Sequence, residues 1–180
     1  MSLHHDALTH LSAWSAYDDA QEALRARFVE HLERRPDGTQ RGCFPDHLTA
    51  GVLVLDDSLG HVLLNLHGKA KRWFHFGGHC EDDDPTLAGV ALREGLEESG
   101  LPGLRLDAEP AQLDAHTVAF CDPRGTVHHL DVRYVALAPV DGAHATSEES
   151  LDVRWWPLDA LPELEPAMHE LIAIARRRFG

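Results

Sequence analysis

Apolar residues recur at helical spacing near the start of the chain and form two stripes. The stripe positions are Leu8, Leu11, Trp14, Ala20, Leu24, Phe28 and Leu32. Turn-forming residues at 36–38 then end the pattern. Residues 4–34 are therefore predicted to be helical, with two helices as one alternative. We expect an N-terminal helical extension over residues 1–45 that packs on the following domain, forms a homodimer contact, or builds a wall of a substrate pocket.

Alternation of apolar and polar residues predicts β-strands in the rest of the chain. The predicted strands cover residues 48–55, 61–67, 73–76, 112–120, 127–137 and 151–157, with a shorter one at 104–106. Turn residues at 56–60 and 122–125 join two pairs of these strands into hairpins. An amphipathic helix is predicted over residues 167–178. Strands on both sides of a central helix, with further helices at the termini, predict an α/β fold around a mixed sheet.

The central helix is predicted from its own start and stop signals. Pro85 suits the first turn of a helix, because its missing N–H would have no partner there. Asp84 is expected to be the N-cap, with its carboxylate accepting a free backbone N–H. Gly100 can adopt the left-handed conformation that ends a helix. These signals place the helix at residues 85–99.

Carboxylates continue the apolar stripe of this helix instead of lying opposite to it. The apolar part of the stripe consists of Leu87, Val90 and Ala91. Glu94, Glu97 and Glu98 extend it by one turn, where they repel one another and oppose the helix dipole. Sequences break local rules mostly where function requires it, and hard cations bind clustered carboxylates. The pattern therefore predicts a divalent-cation site, with a salt-bridged surface helix paired to Arg93 as the alternative.

The same stretch resembles the Nudix box, whose pattern is G-x5-E-x7-R-E-U-x-E-E-x-G-U with U apolar. The matching residues are Gly78, Arg93, Glu94, Glu97, Glu98, Gly100 and Leu101. Asp84 stands where the first glutamate belongs, eight residues instead of seven separate it from Arg93, and Gly95 replaces an apolar residue. The HCE segment after the glycines and the HLDVRY segment further on also resemble a subgroup of bacterial Nudix hydrolases.

This resemblance implies a Nudix-like α/β/α sandwich around a mixed β-sheet, over residues 46–180, with the helical extension before it. It implies a hydrolase that cleaves the diphosphate bond of a nucleoside diphosphate linked to another moiety, with water attacking phosphorus. The implied cofactor is Mg²⁺ or Mn²⁺. Such an ion neutralises the diphosphate and lowers the pKa of bound water.

The family's site residues carry over to matching positions of this sequence. The resemblance implies that Glu94, Glu97 and Glu98 are metal ligands, together with the backbone carbonyl of Gly77. Arg93 is expected to orient the glutamates by ion pairing. Within this set, Glu97, Glu98 and Arg93 are the residues expected to serve catalysis.

Two further parts of the site are predicted from loops. Glu149 is the candidate general base, because a glutamate six residues before a tryptophan-bearing strand resembles a family position that supplies a base or a metal ligand. Glu148 is its rival, and a solvated loop carboxylate is the alternative for both. Lys69, Lys71 and Arg72 form a basic loop before the glycine pair in an otherwise acidic chain. They are predicted either to contact the substrate phosphates or to form a solvated turn.

Composition limits the classes of partner. The chain has 180 residues, of which 43% are hydrophobic, and this is enough for one domain with a core. A net charge of −14 argues against nonspecific binding to nucleic acid or to an anionic membrane. Three cysteines suggest no disulfide framework, and no apolar run has transmembrane length. A cytoplasmic protein with a small-molecule substrate is expected.

Fourteen histidines raise the hypothesis of a zinc site. No Cys-x-x-Cys or His-Glu-x-x-His spacing is present, and strand alternation should point His128 and His129 to opposite faces. The sequence therefore favours neutral or surface histidines. Cys80 is disfavoured as a nucleophile, because the acidic residues that follow it raise the pKa of a thiol.

Two other functions compete with the hydrolase. One is a catalytically silent Nudix module that senses a nucleotide or binds a partner. The other is an isomerase acting on a small diphosphate, for which no positioned acid pair or cysteine is identified. The intact glutamates favour the hydrolase, because a sensor need not keep them.

Overall fold

The computed structural model describes residues 2–139 and 150–180. The elements, in chain order, are α1 (Leu3–Ala13), α2 (Asp19–Arg34), β1 (Asp46–Asp56), β2 (His61–His67), β3 (Trp73–Phe74), β4 (Phe76–His79), α3 (Leu87–Ser99), β5 (Arg105–Asp122), β6 (Gly125–Ala138), β7 (Ser150–Pro157) and α4 (Pro166–Phe179). No helix in the described part of the chain is both long and apolar enough to cross a membrane.

The strands form one mixed sheet, as predicted. Its order is β3-β2-β1-β6-β5, with β4 also paired to β1 and β7 to β2. The two predicted hairpins are the antiparallel pairs β1–β2 and β5–β6. In contrast, β1 and β6 run parallel along their length. Strand β1 therefore lies at the centre, with β6 along one edge and β4 and β2 along the other.

Helices cover both faces of the sheet, which confirms the α/β/α sandwich. On one face, apolar residues of α1, α2 and α3 pack against alternate residues of the central strands, among them Leu48, Val52 and Val54. On the other face, Leu53 and Leu55 pack against α4. The alternation along β1 thus divides one strand between two apolar clusters, because successive side chains point to opposite faces.

Two predicted strand boundaries were wrong. The strands expected at 104–106 and 112–120 are one strand, β5, because its pairing to β6 resumes after a register shift between Asp107 and Gln112. The strand expected at 73–76 is divided into β3, which pairs with β2, and β4, which pairs with β1. The change of partner at His75 lets the chain continue to His79 along the central strand.

The N-terminal helices pack on the rest of the chain through buried polar contacts. The indole Nε1 of Trp14 donates to the carbonyl oxygen of Pro110 at 2.8 Å. The side-chain amide of Gln21 both donates to and accepts from the backbone of Leu113, at 3.0 and 2.7 Å. Of the arrangements expected for this extension, packing on the domain is therefore present. A domain boundary at residue 45 stays a prediction.

Candidate active site

Helix α3 begins two residues later than predicted and uses a different cap. The Thr86 hydroxyl accepts a hydrogen bond from the Gly89 N–H at 2.9 Å, so Thr86 is the N-cap and the assignment of Asp84 was wrong. A carboxylate of Asp6 in α1 accepts a second free N–H, that of Leu87, at 2.9 Å. The other end is as predicted, with Gly100 at φ 65° in the left-handed conformation.

Asp84 is instead the anchor for Arg93. The guanidinium donates through Nε to Oδ1 at 3.1 Å and through Nη2 to Oδ2 at 2.9 Å, a two-pronged pairing. The Glu81 N–H adds a third hydrogen bond to Oδ2 at 2.8 Å. Burial raises the pKa of the Asp84 carboxyl, but the hydrogen bonds from Arg93 and Glu81 outweigh burial and lower the pKa overall. The extra residue in the turn therefore leaves this pairing intact.

Arg93 also connects three other parts of the site. Its Nη2 donates to the carbonyl oxygen of His79 on β4 at 2.9 Å. Its Nη1 donates to Glu94 at 2.9 Å and to Glu97 at 3.4 Å. The hydrogen bond to Asp84 is the main cause that raises the pKa of Arg93. The side chain therefore positions β4, the turn and two of the predicted metal ligands together.

The glycine pair brings the backbone of β4 against the carboxylates of α3. The Gly77 N–H donates to Glu98 Oε2 at 3.0 Å. A Cβ on Gly78 would lie 2.6 Å from Glu94 Oε1, so only glycine leaves that carboxylate in its present place. On the other side, a Cβ on Gly77 would lie 2.7 Å from the Cα of Gly51 on β1. The two glycines thus occupy a narrow space between helix and central strand.

Gly95, which departs from the box, has a packing explanation. It lies on the buried side of α3, where a Cβ would be 2.6 Å from Cγ1 of Val52 and 3.1 Å from Leu104. A β-branched neighbour such as Val52 cannot rotate away easily, because its χ1 angle is stiff. The absence of a side chain therefore allows α3 to lie close to β1.

Replacing Gly78 by alanine is expected to lower activity about 10–100-fold with little loss of stability, because the new methyl group displaces the Glu94 carboxylate. That carboxylate is the end of a flexible side chain, so it can move at small cost in folding free energy. Steady-state kinetics and thermal unfolding measure the two effects. Gly42→Ala is the matched control, since a Cβ there meets nothing within 4 Å. Unchanged activity of Gly78→Ala would contradict a role for the Glu94 position.

The predicted metal ligands are next to one another, but they are not among the described side chains whose ligand atoms all lie within 4.8 Å of one another. Glu94 lies against Gly78 with its side chain 15% exposed, Glu98 lies at Gly77, and Glu97 is 62% exposed and turned toward Arg93. The predicted inward stripe therefore holds for Glu94 and not for Glu97. With Asp84, these carboxylates carry four negative charges, and Arg93 contributes one positive charge. Oxygen donors with an excess of negative charge suit a hard divalent cation.

The two loop predictions have different outcomes. Lys69, Lys71 and Arg72 are exposed in the turn between β2 and β3, and Arg72 forms an ion pair with Glu165 at the start of α4. A phosphate-binding role for this loop stays a prediction. The candidate base Glu149 and its rival Glu148 lie outside the described residues.

Cys80 has its pKa raised to about 12 by burial and by Asp84, which agrees with its expected inertness.

A row of buried charges near the glycine pair was not found from the sequence. Asp131 on β6 accepts from Thr49 at 3.0 Å and from Arg133 Nε at 2.9 Å, and it lies 3.3 Å from His75 Nε2. Arg133 also pairs with Asp114 on β5 at 2.9 Å. Burial raises the pKa of Asp131, but the contacts with His75 and Arg133 hold it well below its usual range.

The signal for this row was present in the β6 sequence. Leu130, Val132 and Tyr134 alternate with Asp131 and Arg133, and all five are buried. Charged residues on a buried strand face must pair with partners on neighbouring strands. The alternation indicates the polar face, but it does not identify the partners, which come from elsewhere in the chain.

A family model described as the NUDIX domain matches residues 45–175 of the chain. No curated protein matches at a significant level. Among solved structures, a NUDIX-family hydrolase from Clostridium perfringens has a TM-score of 0.54 and 21% identity, covering 74% of this chain and 95% of that one.

Two other similar solved structures are complexes. The NUDIX domain of NrtR from Shewanella oneidensis, complexed with ADP ribose, has a TM-score of 0.56 and 22% identity over 84% of this chain and 98% of that one. An Ap4A hydrolase from C. elegans, in a binary complex, has a TM-score of 0.58 and 16% identity over 73% of this chain and 96% of that one. At such identities, these three likenesses establish a shared fold.

Proposed function

The chain belongs to the NUDIX domain family and is a Nudix hydrolase, and we propose that it is a metal-dependent pyrophosphohydrolase. The proposed substrate is a nucleoside diphosphate linked to another group, and Mg²⁺ or Mn²⁺ is the proposed cofactor. The observation that carries this proposal is the contact of the glycine pair with Glu94 and Glu98. That contact combines carboxylates and exposed backbone at one edge of the central strand.

In the proposed mechanism, Glu94, Glu97, Glu98 and the Gly77 carbonyl would hold the cation. When bound, the cation supplies positive charge against the diphosphate and makes water more acidic. Arg93 does not touch the substrate. It fixes Glu94 relative to β4 through its bonds to Asp84 and to the His79 carbonyl. Positioning of this kind is a large part of catalysis when the chemistry is displacement at phosphorus.

Water attacks one phosphorus atom, the bond from that phosphorus to the bridging oxygen breaks, and the other phosphate leaves. Glu149 is our candidate for accepting the proton of the attacking water, with Glu148 as its rival. Lys69, Lys71 and Arg72 are candidates for contacts with the phosphates, since an acidic chain needs local cations to attract an anionic substrate. ADP ribose in the Shewanella oneidensis domain and Ap4A hydrolysis in the C. elegans protein motivate adenosine-containing diphosphates as first substrates.

A substrate panel with and without Mg²⁺ tests the proposal. The panel holds nucleoside triphosphates, ADP-ribose, dinucleoside polyphosphates, sugar nucleotides, coenzyme A and NADH, and phosphate-containing products are measured by chromatography. We expect at least one nucleoside diphosphate derivative to be cleaved, with activity lost on removal of the metal by EDTA and restored by Mg²⁺ or Mn²⁺. Binding of a nucleotide without turnover of any member would instead favour a silent sensing module.

A further inference from the structure

Four side chains from four different strands meet on the side of β4 that faces away from Glu94. They are His47 of β1, His79 of β4, Cys121 of β5 and His129 of β6. One ligand atom from each lies within 4.8 Å of the others, and the sulfur of Cys121 lies 3.3 Å from His79 Nε2 and 3.4 Å from His129 Nε2. This is the one such group of His, Cys, Asp and Glu side chains within residues 2–139 and 150–180. We refer to it as the His/Cys cluster.

His47 is oriented as a metal ligand is. Its Nδ1 lies 3.1 Å from the carbonyl oxygen of Cys43, and because a carbonyl only accepts, Nδ1 carries the proton. The lone pair is then on Nε2. His47 is completely buried, and its Nε2 atom has no hydrogen-bond partner in the described structure. A ligating histidine commonly donates its other N–H to a backbone carbonyl in this way.

Hydrogen bonding alone does not satisfy the cluster. The rings of His47, His79 and His129 have centroids 5.0–5.1 Å apart, and the Cys121 thiol can donate one proton to one imidazole. The Nε2 atom of His47 therefore keeps a lone pair that no donor in the described structure satisfies. A buried acceptor without a donor is unfavourable, and a bound cation would satisfy it.

We propose that the His/Cys cluster binds one Zn²⁺ ion, or a divalent transition-metal ion of similar preference, through three imidazole nitrogens and one thiolate sulfur. Nitrogen and sulfur donors select such ions over Mg²⁺, which prefers oxygen. Tetrahedral zinc with nitrogen at about 2.0 Å and sulfur at about 2.3 Å places a nitrogen and a sulfur ligand about 3.5 Å apart. The two contacts of Cys121 with imidazole nitrogens, at 3.3 and 3.4 Å, are close to this separation.

The proposed site departs from the sequence-based interpretation of the histidines as neutral or surface groups. The predicted alternation on β6 is present, since His128 turns the other way and pairs with Asp46 at 2.6 Å while His129 joins the cluster. No local motif exists because each ligand comes from a separate strand. In register, His47 lies directly beside His129, and His79 lies beside Thr49, two residues further along β1.

Four protein ligands close the coordination sphere, so the proposed ion is structural. It would hold β4 to β1, β5 and β6 at a point immediately after Gly77 and Gly78. The carbonyl of His79 is also the acceptor for Arg93 Nη2 at 2.9 Å. The ion would therefore stabilise the strand against which the α3 carboxylates lie, without contacting the substrate.

Metal binding by the intact protein tests the proposal. The protein is stripped with a chelator under reducing conditions and titrated with Zn²⁺ in millimolar Mg²⁺, which keeps the α3 carboxylates occupied. We expect one equivalent of Zn²⁺ to bind and the melting temperature to rise by about 5 °C. Titration with Co²⁺ is expected to give the sulfur-to-metal charge-transfer band and the strong visible bands of tetrahedral cobalt–thiolate coordination. Absence of Zn²⁺ uptake, or of the cobalt–thiolate spectrum, would overturn it.

Matched variants locate the bound ion. Cys121→Ser and His129→Gln are expected to lose the stoichiometric Zn²⁺ and the shift in melting temperature, whereas Cys80→Ser and His128→Gln retain both. Glu98→Gln should also retain the zinc, which separates this site from the proposed catalytic one. Undiminished zinc binding by Cys121→Ser would refute the cluster as the site. The cobalt spectrum of the unmodified protein tests thiolate coordination even where a variant does not fold.

Discussion

Replacing Glu98 by glutamine is expected to lower Mg²⁺-dependent turnover about 10³-fold, which corresponds to roughly 4 kcal/mol in the activation free energy. Glutamine keeps the length of the side chain and an oxygen that can accept from the Gly77 N–H. It removes the negative charge, which is the property that a hard cation requires. The loss is measured as kcat on the best substrate of the panel across a Mg²⁺ titration.

The fold should survive this substitution. Glu98 is partly exposed and stands in one turn with Glu94 and Glu97, so removal of its charge also removes repulsion. Thermal unfolding is expected to be unchanged or slightly improved. Glu33→Gln, which makes the same chemical change at an exposed position of α2, should leave turnover and stability as they are. Normal activity of Glu98→Gln would show that the metal ligands have been assigned to the wrong carboxylates.

Elements with a strong local signal could be predicted from the sequence. Strand β2 has the predicted bounds of 61–67, and α3 was predicted at 85–99 and found at Leu87–Ser99. Both segments carry their own periodicity and their own turn or cap residues. The errors in β3, β4 and β5 arose where pairing with a distant strand, and not local composition, decides the boundary.

In the candidate site, too, contacts between residues close in sequence could be predicted, whereas contacts between distant residues could not. The glutamates and Arg93 are close in sequence, so the helix period alone indicates that they are neighbours. The role of Asp84 was misassigned, because a cap at Asp84 and an ion pair at Asp84 leave the same local sequence signal. The His/Cys cluster depends on contacts such as that between His79 and Cys121, 42 residues apart. Only the register of four strands brings these residues together.

Replacing Arg93 by methionine is expected to cost about 3–5 kcal/mol of unfolding free energy, because it leaves a buried carboxylate without its partner. The side chains of Arg93 and Asp84 are only 20% and 7% exposed, so solvent compensates little for the loss. Turnover should fall as well, since Glu94 loses the hydrogen bond that positions it. Urea unfolding at pH 7 measures the first effect, and steady-state kinetics below the unfolding range measure the second.

The pH dependence identifies Asp84 as the source of this cost. In the intact protein, the pKa of Asp84 is lowered on folding, so the pairing stabilises the fold above the unfolded pKa of about 3.9 and is lost as pH falls through the folded value. Without Arg93, burial outweighs the remaining hydrogen bond from the Glu81 N–H and raises the pKa of Asp84, so acid relieves the penalty. The difference in stability between the two proteins should therefore shrink as the pH falls toward 4 and below.

A double-mutant cycle separates the ion pair from the other contacts of Arg93. Asp84→Asn in the Arg93→Met background removes the unpaired charge, so it should recover a large part of the lost stability. It should not recover turnover, because the contacts from Arg93 to Glu94 and to the His79 carbonyl are still missing. Arg93→Lys keeps the positive charge but lacks the planar guanidinium group. Its stability is expected to lie between those of the unmodified protein and Arg93→Met. Equal stability losses in Arg93→Met and in the double variant would mean that Asp84 is not the partner that matters, and that the cost lies in the contacts with β4.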